Sequence, residues 1–273
     1  MLPIITLTSD FGLKDYTVSA VKGSIYSELS EVTIVDISHL VSPYDVAEGA
    51  YIIKNSYKYF PKGTIHIIGI DADSTPDKKP LIVFLDGHYF ICADNGIISL
   101  IATQIRPDKI FEITINDRLE PHFNVLGIFC KAACHLARGG KPELIGVEFK
   151  NLRMNKNVAP SVDEKGAIIY GHILYVDNYD NVVTNVSRTF FEKIAKGRKF
   201  GISIKGNNFD KIYANYTDFL NRDDSVADGK KFALWNASGN LEIAIYRSDK
   251  INVGGAQTLL GIKVQDTVTI VFQ

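Results

Sequence analysis

Ile4-Ile5-Thr6-Leu7-Thr8-Ser9-Asp10-Phe11-Gly12 is the stretch on which the fold turns. Residues 4–8 form an apolar, β-branched run that stops at the polar turn Ser9-Asp10-Phe11-Gly12. Residues 15–29 then carry apolar side chains at helical spacing, 32–37 form a second β run, and 46–59 read as another helix stopped by Phe60-Pro61-Lys62-Gly63. A third apolar strand over 64–70 ends at Asp71. Strands alternating with helices predict an α/β layer with a largely parallel sheet. Such sheets place ligands at the carboxyl ends of their strands. Further on, 81–85 and 88–92 read as a hairpin around Asp86-Gly87, and 128–137 as an apolar helix closed by Gly139-Gly140.

The second half changes character. Residues 141–166 are polar and irregular, with Pro142 and Pro160, and read as a connection. Beyond them come short β runs over 167–176, 182–186, 200–204, 231–235, 241–245 and 267–272, interrupted by one helix near 189–196. This pattern predicts a small all-β barrel or sandwich. The expected organisation is an N-terminal three-layer α/β domain over residues 1–160 and a C-terminal β-barrel domain over 161–273.

The bulk numbers exclude several classes. A net charge of −1 offers no basic surface for nucleic acid or an anionic membrane. No apolar run is long enough to span a bilayer, and the N-terminus reads as a strand rather than a signal peptide. The three cysteines, Cys92, Cys130 and Cys134, include no CxxC pair, which favours free buried thiols in a reducing cytoplasm. No HxxxH or HExxH pattern is present, so a metal enzyme is not expected.

Several polar groups fall where chemistry is done, and each has a bland reading beside the functional one. Asp10 follows the first strand, where a carboxylate suits the vicinal hydroxyls of a ribose, or caps a helix. Asp15 and Thr17 read as first-turn surface residues. Asp71 ends the third strand at the same sheet edge, and the polar loop behind it reaches Lys78. Asp177-Asn178-Tyr179-Asp180-Asn181 reads as a tight turn or as ligand groups. Glu242 is a carboxylate within an apolar strand, next to the Asn236-Ala237-Ser238-Gly239 turn. His66, His88 and His172 lie in strand patterns and read as structural.

Taken in order, Thr6 to Gly12 with Asp15-Tyr16, then Asp94-Asn95-Gly96, Ile128-Phe129 to Ala137, Asp177 to Asn185, Ser238-Gly239 to Ala244 and Leu259-Leu260-Gly261 resemble the S-adenosyl-L-methionine hydroxide adenosyltransferases, relatives of fluorinase and chlorinase. The resemblance runs through nearly the whole chain. It implies a homotrimer, with the substrate held between the N-domain of one subunit and the C-domain of its neighbour. It implies attack of water on the ribose C5′ of S-adenosyl-L-methionine, giving adenosine and methionine, with no metal or organic cofactor. By the same resemblance Asp10 binds the ribose hydroxyls. Asp15, Thr17 and Asp177 hold the methionine end. Tyr44 packs on the substrate, Asn181 contacts adenine, and the Ser238 to Ala244 stretch, with Glu242, lines the pocket.

The catalytic set departs from the family. An Asp–Arg–His set is expected to position water; Asp71 matches the Asp, but the Arg position is Lys78 and the His position is Asn124, with His122 two residues earlier. Lys offers a point charge where Arg offers a planar fork, and Asn is no base. Either His122 takes the role, or Asp71 acts alone, or water is only positioned. A fourth possibility is a protein that binds S-adenosylmethionine or adenosine without turnover. A halide-using relative, or adenosyl transfer to another nucleophile, is a further alternative, although Asn124-Val125 replaces the small segment that shapes the halide pocket.

Overall fold

The computed structural model describes residues 2–73, 75, 77–103, 105–115, 124–155, 159–220, 228–248, 251 and 253–273. The chain divides into two compact units, Met1–Asn157 and Val158–Gln273.

The first unit opens with β1 (Ile4–Ser9), α1 (Thr17–Glu28), β2 (Thr33–Ser38), α2 (Val46–Ser56) and β3 (Ile65–Gly69). β4 (Pro80–Leu85), β5 (His88–Ala93), α3 (Ile97–Ile101), β6 (Lys109–Ile113), α4 (Cys130–Ala137) and β7 (Gly146–Glu148) complete it. The seven strands form one sheet in the order β2-β1-β3-β5-β4-β6-β7. β2, β1, β3 and β5 are mutually parallel, and only β4 and β7 run against the other five. Both faces are covered, because strand side chains alternate between two cores. Ile82 packs with Ile5, Ile67, Val21, Phe129 and Cys130 on one face. Its neighbours Leu81 and Val83 pack with Ile68, Ala50, Ile53 and Ile97 on the other. A sheet buried on both sides needs apolar side chains in both alternation phases, which these runs provide. The β4–β5 hairpin turns at Asp86 and Gly87, with φ of 50° and 73°, the left-handed pair its residues favour.

Several boundaries shift from the sequence reading for local reasons. Helix α1 starts at Thr17, and α2 ends at Ser56 with a tighter turn over Tyr57–Tyr59. Ahead of α4 the chain makes a π-helical turn over Val125–Phe129. The polar stretch after α4 does not hang free: β7 pairs with β6, Arg153 N donates to Asp94 Oδ1 at 2.9 Å, and Asn155 Nδ2 donates to Asn95 O at 3.1 Å. Its backbone pairing is invisible to hydropathy because its side chains are polar.

The second unit contains β8 (Ser161–Val162), β9 (Ile168–Val176), β10 (Val182–Ser187), α5 (Arg188–Ala195), β11 (Phe200–Ile204), β12 (Asn207–Phe209) and β13 (Ile212–Tyr213). It ends with α6 (Tyr216–Leu220), β14 (Lys231–Trp235), β15 (Asn240–Ile245), α7 (Ala256–Leu260) and β16 (Thr267–Phe272). Its sheet runs β12-β11-β16-β9-β10-β15-β14-β13 with β8 beside β9, a nearly closed, barrel-like arrangement. β9 makes this curvature possible: its first half pairs with β16 and its second half with β10, whose register is broken by bulges. Ile169, Val186, Ile202, Ile243 and Ile270 fill the interior, and Phe191 of α5 joins them.

All three cysteines are free and buried. Among the described residues no helix is long and apolar enough to cross a membrane, and no group of three or more His, Cys, Asp or Glu could hold a metal ion.

His66 and His88 form a buried polar pair under Tyr57. His66 Nδ1 lies 2.7 Å from Thr6 Oγ1, and its Nε2 lies 3.2 Å from His88 Nδ1. Burial pushes His66 down to about 3, with the neighbouring His88 adding to the effect. The unfolded chain therefore binds a proton, below the ordinary His range near 6.5, that the folded chain refuses. The stabilisation is complete above that range and is lost as pH falls toward 3, by about 2 kcal/mol at pH 5. Urea midpoints followed between pH 7 and 4.5 check this. The expected result is a fall that His66→Phe makes shallower; an equal slope in the two proteins would contradict it.

Candidate active site

Strand order reverses about β1, between its neighbours β2 and β3, which is the switch point at which open α/β sheets bind ligands. Asp10 follows β1 and Asp71 follows β3 at that edge. Asp10 caps no helix, since α1 starts only at Thr17. Instead its Oδ2 accepts hydrogen bonds from Tyr44 N at 2.9 Å and Asp71 N at 3.3 Å. Both fall on one oxygen, so Oδ1 retains acceptor capacity.

The turn bearing Asp10 is pinned from beneath. Ser9 Oγ lies 2.6 Å from His39 Nδ1, and Gly12 N donates to His39 O at 2.7 Å. His39 Nε2 stands 3.2 Å from Asp36 Oδ1. Gly69 leaves room for Phe11: a Cβ there would meet the ring at 2.8 Å. Sequence reading missed His39, whose partner lies thirty positions away with no motif between them.

Asp71 sits at φ 42° and Tyr44 at φ 64°, both in the left-handed region that non-glycine residues seldom occupy. Lys78 Nζ meets Asp71 Oδ1 at 2.7 Å, with the lysine side chain only 13% exposed. A short turn brings Lys78 back: Lys78 N donates to Thr75 O at 3.0 Å. The lysine thus reaches the carboxylate, as a point charge rather than a fork. Asn124 is buried, and its amide donates to Ala72 O at 2.9 Å. His122 lies outside the described residues. Tyr44 and Asp15 are exposed, and Thr17 is the first residue of α1.

A second polar cluster lies on the outer face of the barrel-like unit. Asp177 Oδ1 accepts from Tyr179 N and Asn181 N, both at 2.8 Å, so the tight-turn reading accounts for half of its carboxylate. Oδ2 accepts from Asn181 Nδ2 at 3.1 Å. Asn181 Nδ2 also donates to Tyr216 Oη at 3.0 Å, and Tyr216 donates to Glu242 Oε1 at 3.2 Å. The carboxylate orients the Asn181 amide: nitrogen faces the acceptors, and Oδ1 is left buried without a partner. A buried acceptor in that state is open to a donor from a ligand or a water. Glu242 lies on the face of β15 opposite the interior residues Leu241 and Ile243, yet it is covered, being 5% exposed. Burial, and then the Asp177 charge, push it up to about 7, and burial raises Asp177 as well.

Ala244 lies two residues along β15 from Glu242 and packs with Phe232 and Leu234, whose face is backed by Phe219 of α6. Ser238 is in the β14–β15 turn, where its hydroxyl donates to Asn236 Oδ1 at 2.7 Å. Tyr216 was not foreseen; it lies in a five-residue helix too short to leave a periodic signal.

Paired carboxylates at a sheet's switch point, and an oriented amide with an unmet acceptor in a second cluster, are features of an enzyme acting on a small polar molecule. Comparison with known proteins agrees. The profile of the SAM hydroxide adenosyltransferase N-terminal domain matches residues 5–146, and that of the C-terminal domain matches residues 171–269. The chain belongs to this enzyme family. It is 28% identical to an (R)-S-adenosyl-L-methionine hydrolase of Methanocaldococcus jannaschii, over 69% of this chain and 68% of the relative. Identity to one of Thermus thermophilus is 25%, over 96% and 97% of the two chains. It is also 26% identical to a fluorinase of Nocardia brasiliensis, over 75% of this chain and 78% of that one. The crystal structure of an uncharacterized conserved protein from Thermotoga maritima shares the fold, with TM-score 0.82 and 24% identity over 98% of this chain and 99% of that one.

Proposed function

We propose that the chain hydrolyses S-adenosyl-L-methionine to adenosine and L-methionine. The observation that carries this is the Asp71 carboxylate, held by Lys78 at 2.7 Å and joined through its own N–H to Asp10. In this reading Asp10 takes the ribose hydroxyls, which sets C5′ near Asp71. Lys78 occupies one oxygen of Asp71, and the other accepts a hydrogen from the attacking water. The C5′–O bond forms as the C5′–S bond breaks; sulfur keeps the electron pair and leaves as a neutral thioether, while the water's proton passes to Asp71. Because the leaving group is already good, the site has to supply position and exclusion of bulk water rather than a strong base. That requirement does not in itself call for an imidazole.

Asp15, Thr17 and Asp177 hold the methionine end, Tyr44 packs on the substrate, and Asn181 Oδ1 accepts from the adenine amino group. Ser238, Glu242 and Ala244 line that side. The supporting argument for an adenine there is the buried, unmet acceptor. The family resemblance supports a homotrimer in which neighbouring subunits share each substrate, with no cofactor, and the free buried thiols support a reducing, cytoplasmic location. Incubation with S-adenosyl-L-methionine is expected to yield adenosine and methionine in equal amounts by chromatography; clean, folded protein that yields neither would refute the reading. The second reading, binding without turnover, is favoured by Asn124, whose amide is committed to a backbone carbonyl. It predicts a rise in melting temperature with ligand but no product.

Glu242 gives the reading a pH signature. Its carboxyl, raised to about 7, holds a proton that the unfolded chain lacks between about 4.5 and 7. Its contribution to stability is therefore present at low pH and lost as pH rises through 7. A cationic ligand favours the ionised form. Affinity for S-adenosyl-L-methionine is then expected to rise from pH 6 to 8 by at most about tenfold per pH unit, while affinity for neutral adenosine does not. Calorimetry on wild type and Glu242→Gln checks this; a rise that survives in the variant would remove Glu242 from the account.

A further inference from the structure

Asp71 occupies a backbone conformation that its side chain disfavours, and such residues persist only where their surroundings over-determine them. Here three consecutive carbonyls are held by two buried amides. Asn95 Nδ2 donates to Ile70 O at 2.9 Å and to Asp71 O at 3.4 Å. Asn124 Nδ2 donates to Ala72 O at 2.9 Å. The two are 6% and 2% exposed.

Each amide is anchored in a different element. Asn95 Oδ1 accepts from Ile97 N at 3.1 Å, which ties it to the start of α3, and its own carbonyl accepts from Asn155 Nδ2. Asn124 stands at the head of the π-helical turn that leads into α4. On the other side of the segment, Asp71 N is held by Asp10. The peptide planes before and after Asp71 are therefore both fixed, from opposite faces of the sheet's edge. Neither asparagine is a base, and each has its N–H groups directed at backbone.

We propose that Asn95 and Asn124 are positioning residues that hold Asp71 in its left-handed conformation and so aim its carboxylate at the reacting water. This rests on the reading of Asp71 as the group that positions water. It also gives Asn124 a task that needs no proton transfer.

The test compares wild type, Asn124→Ala and Asn95→Ala for kcat, KM and adenosine affinity, with crystal structures of both variants. The expected result is a kcat lower by about 10- to 100-fold with KM and adenosine affinity within about threefold, because misplacement by an ångström is enough to cost that much. In an Asp71→Asn background, Asn124→Ala should cost less than about twofold more, as for two residues acting through one group. Asp71 should leave the left-handed region in the variant structures. An unchanged kcat, an equal loss in both backgrounds, or an Asp71 that keeps its conformation would overturn the proposal. If Asn95→Ala does not fold, Asn124→Ala, which gives up one hydrogen bond, decides. If wild type forms no adenosine, the hydrolase reading falls, and the conformation of Asp71 in the variant structures decides the clamp.

Discussion

Asp71→Asn lowers adenosine formation by about 10²- to 10⁴-fold, the range lost with a group that takes part in proton transfer, and leaves adenosine affinity within a few-fold. The substitution suits the test because Asn tolerates a left-handed backbone, so the turn at φ 42° should keep its shape. Lys78 loses a charged partner, but Asp71 is 27% exposed and the pair is solvent-screened, so the stability cost is about 1 kcal/mol or less. Loss of turnover with retained folding and retained adenosine binding would separate chemistry from recognition. An Asp71→Asn protein that still turned over at the wild-type rate would leave the water to some other group, His122 first among them.

Asp10→Ala is expected to weaken adenosine binding by about 10²- to 10⁴-fold, since two hydrogen bonds to a carboxylate contribute about 1.5–3 kcal/mol each. The direct comparison is with 2′-deoxyadenosine, which lacks one hydroxyl. Wild type should bind it much more weakly than adenosine, and Asp10→Ala should bind the two within a few-fold of each other. Because Oδ2 also anchors Tyr44 N and Asp71 N, turnover should fall further than binding does. Equal discrimination in both proteins, measured by calorimetry, would show that another residue reads the ribose.

Much of the fold was legible because β4 is apolar in both alternation phases and β1 and β3 carry β-branched residues in both, as a sheet covered on two faces requires. Asp10 and Asp71 were legible as strand-end carboxylates for the same reason: once the strands are placed, their ends converge. What escaped was set by contacts distant in sequence. Strand β6 and helix α3 have five residues each, too few for a clear periodic signal, and the three-residue β7 is held by backbone pairing to β6. His39, Asn95 and Tyr216 owe their places to partners 25 to 30 positions away, in Asn95's case a backbone carbonyl that carries no residue identity. Asn124 illustrates the limit well. Its letter marked a departure from the family, and only the structure shows its amide spent on Ala72.

Hydrolysis at C5′ requires the oxygen of water to end up in adenosine. Turnover of S-adenosyl-L-methionine in ¹⁸O-labelled water, followed by mass spectrometry of both products, tests it most directly. One labelled oxygen is expected in adenosine, at the 5′-hydroxyl, and none in methionine. Unlabelled adenosine, label in methionine, or a product other than adenosine would contradict it.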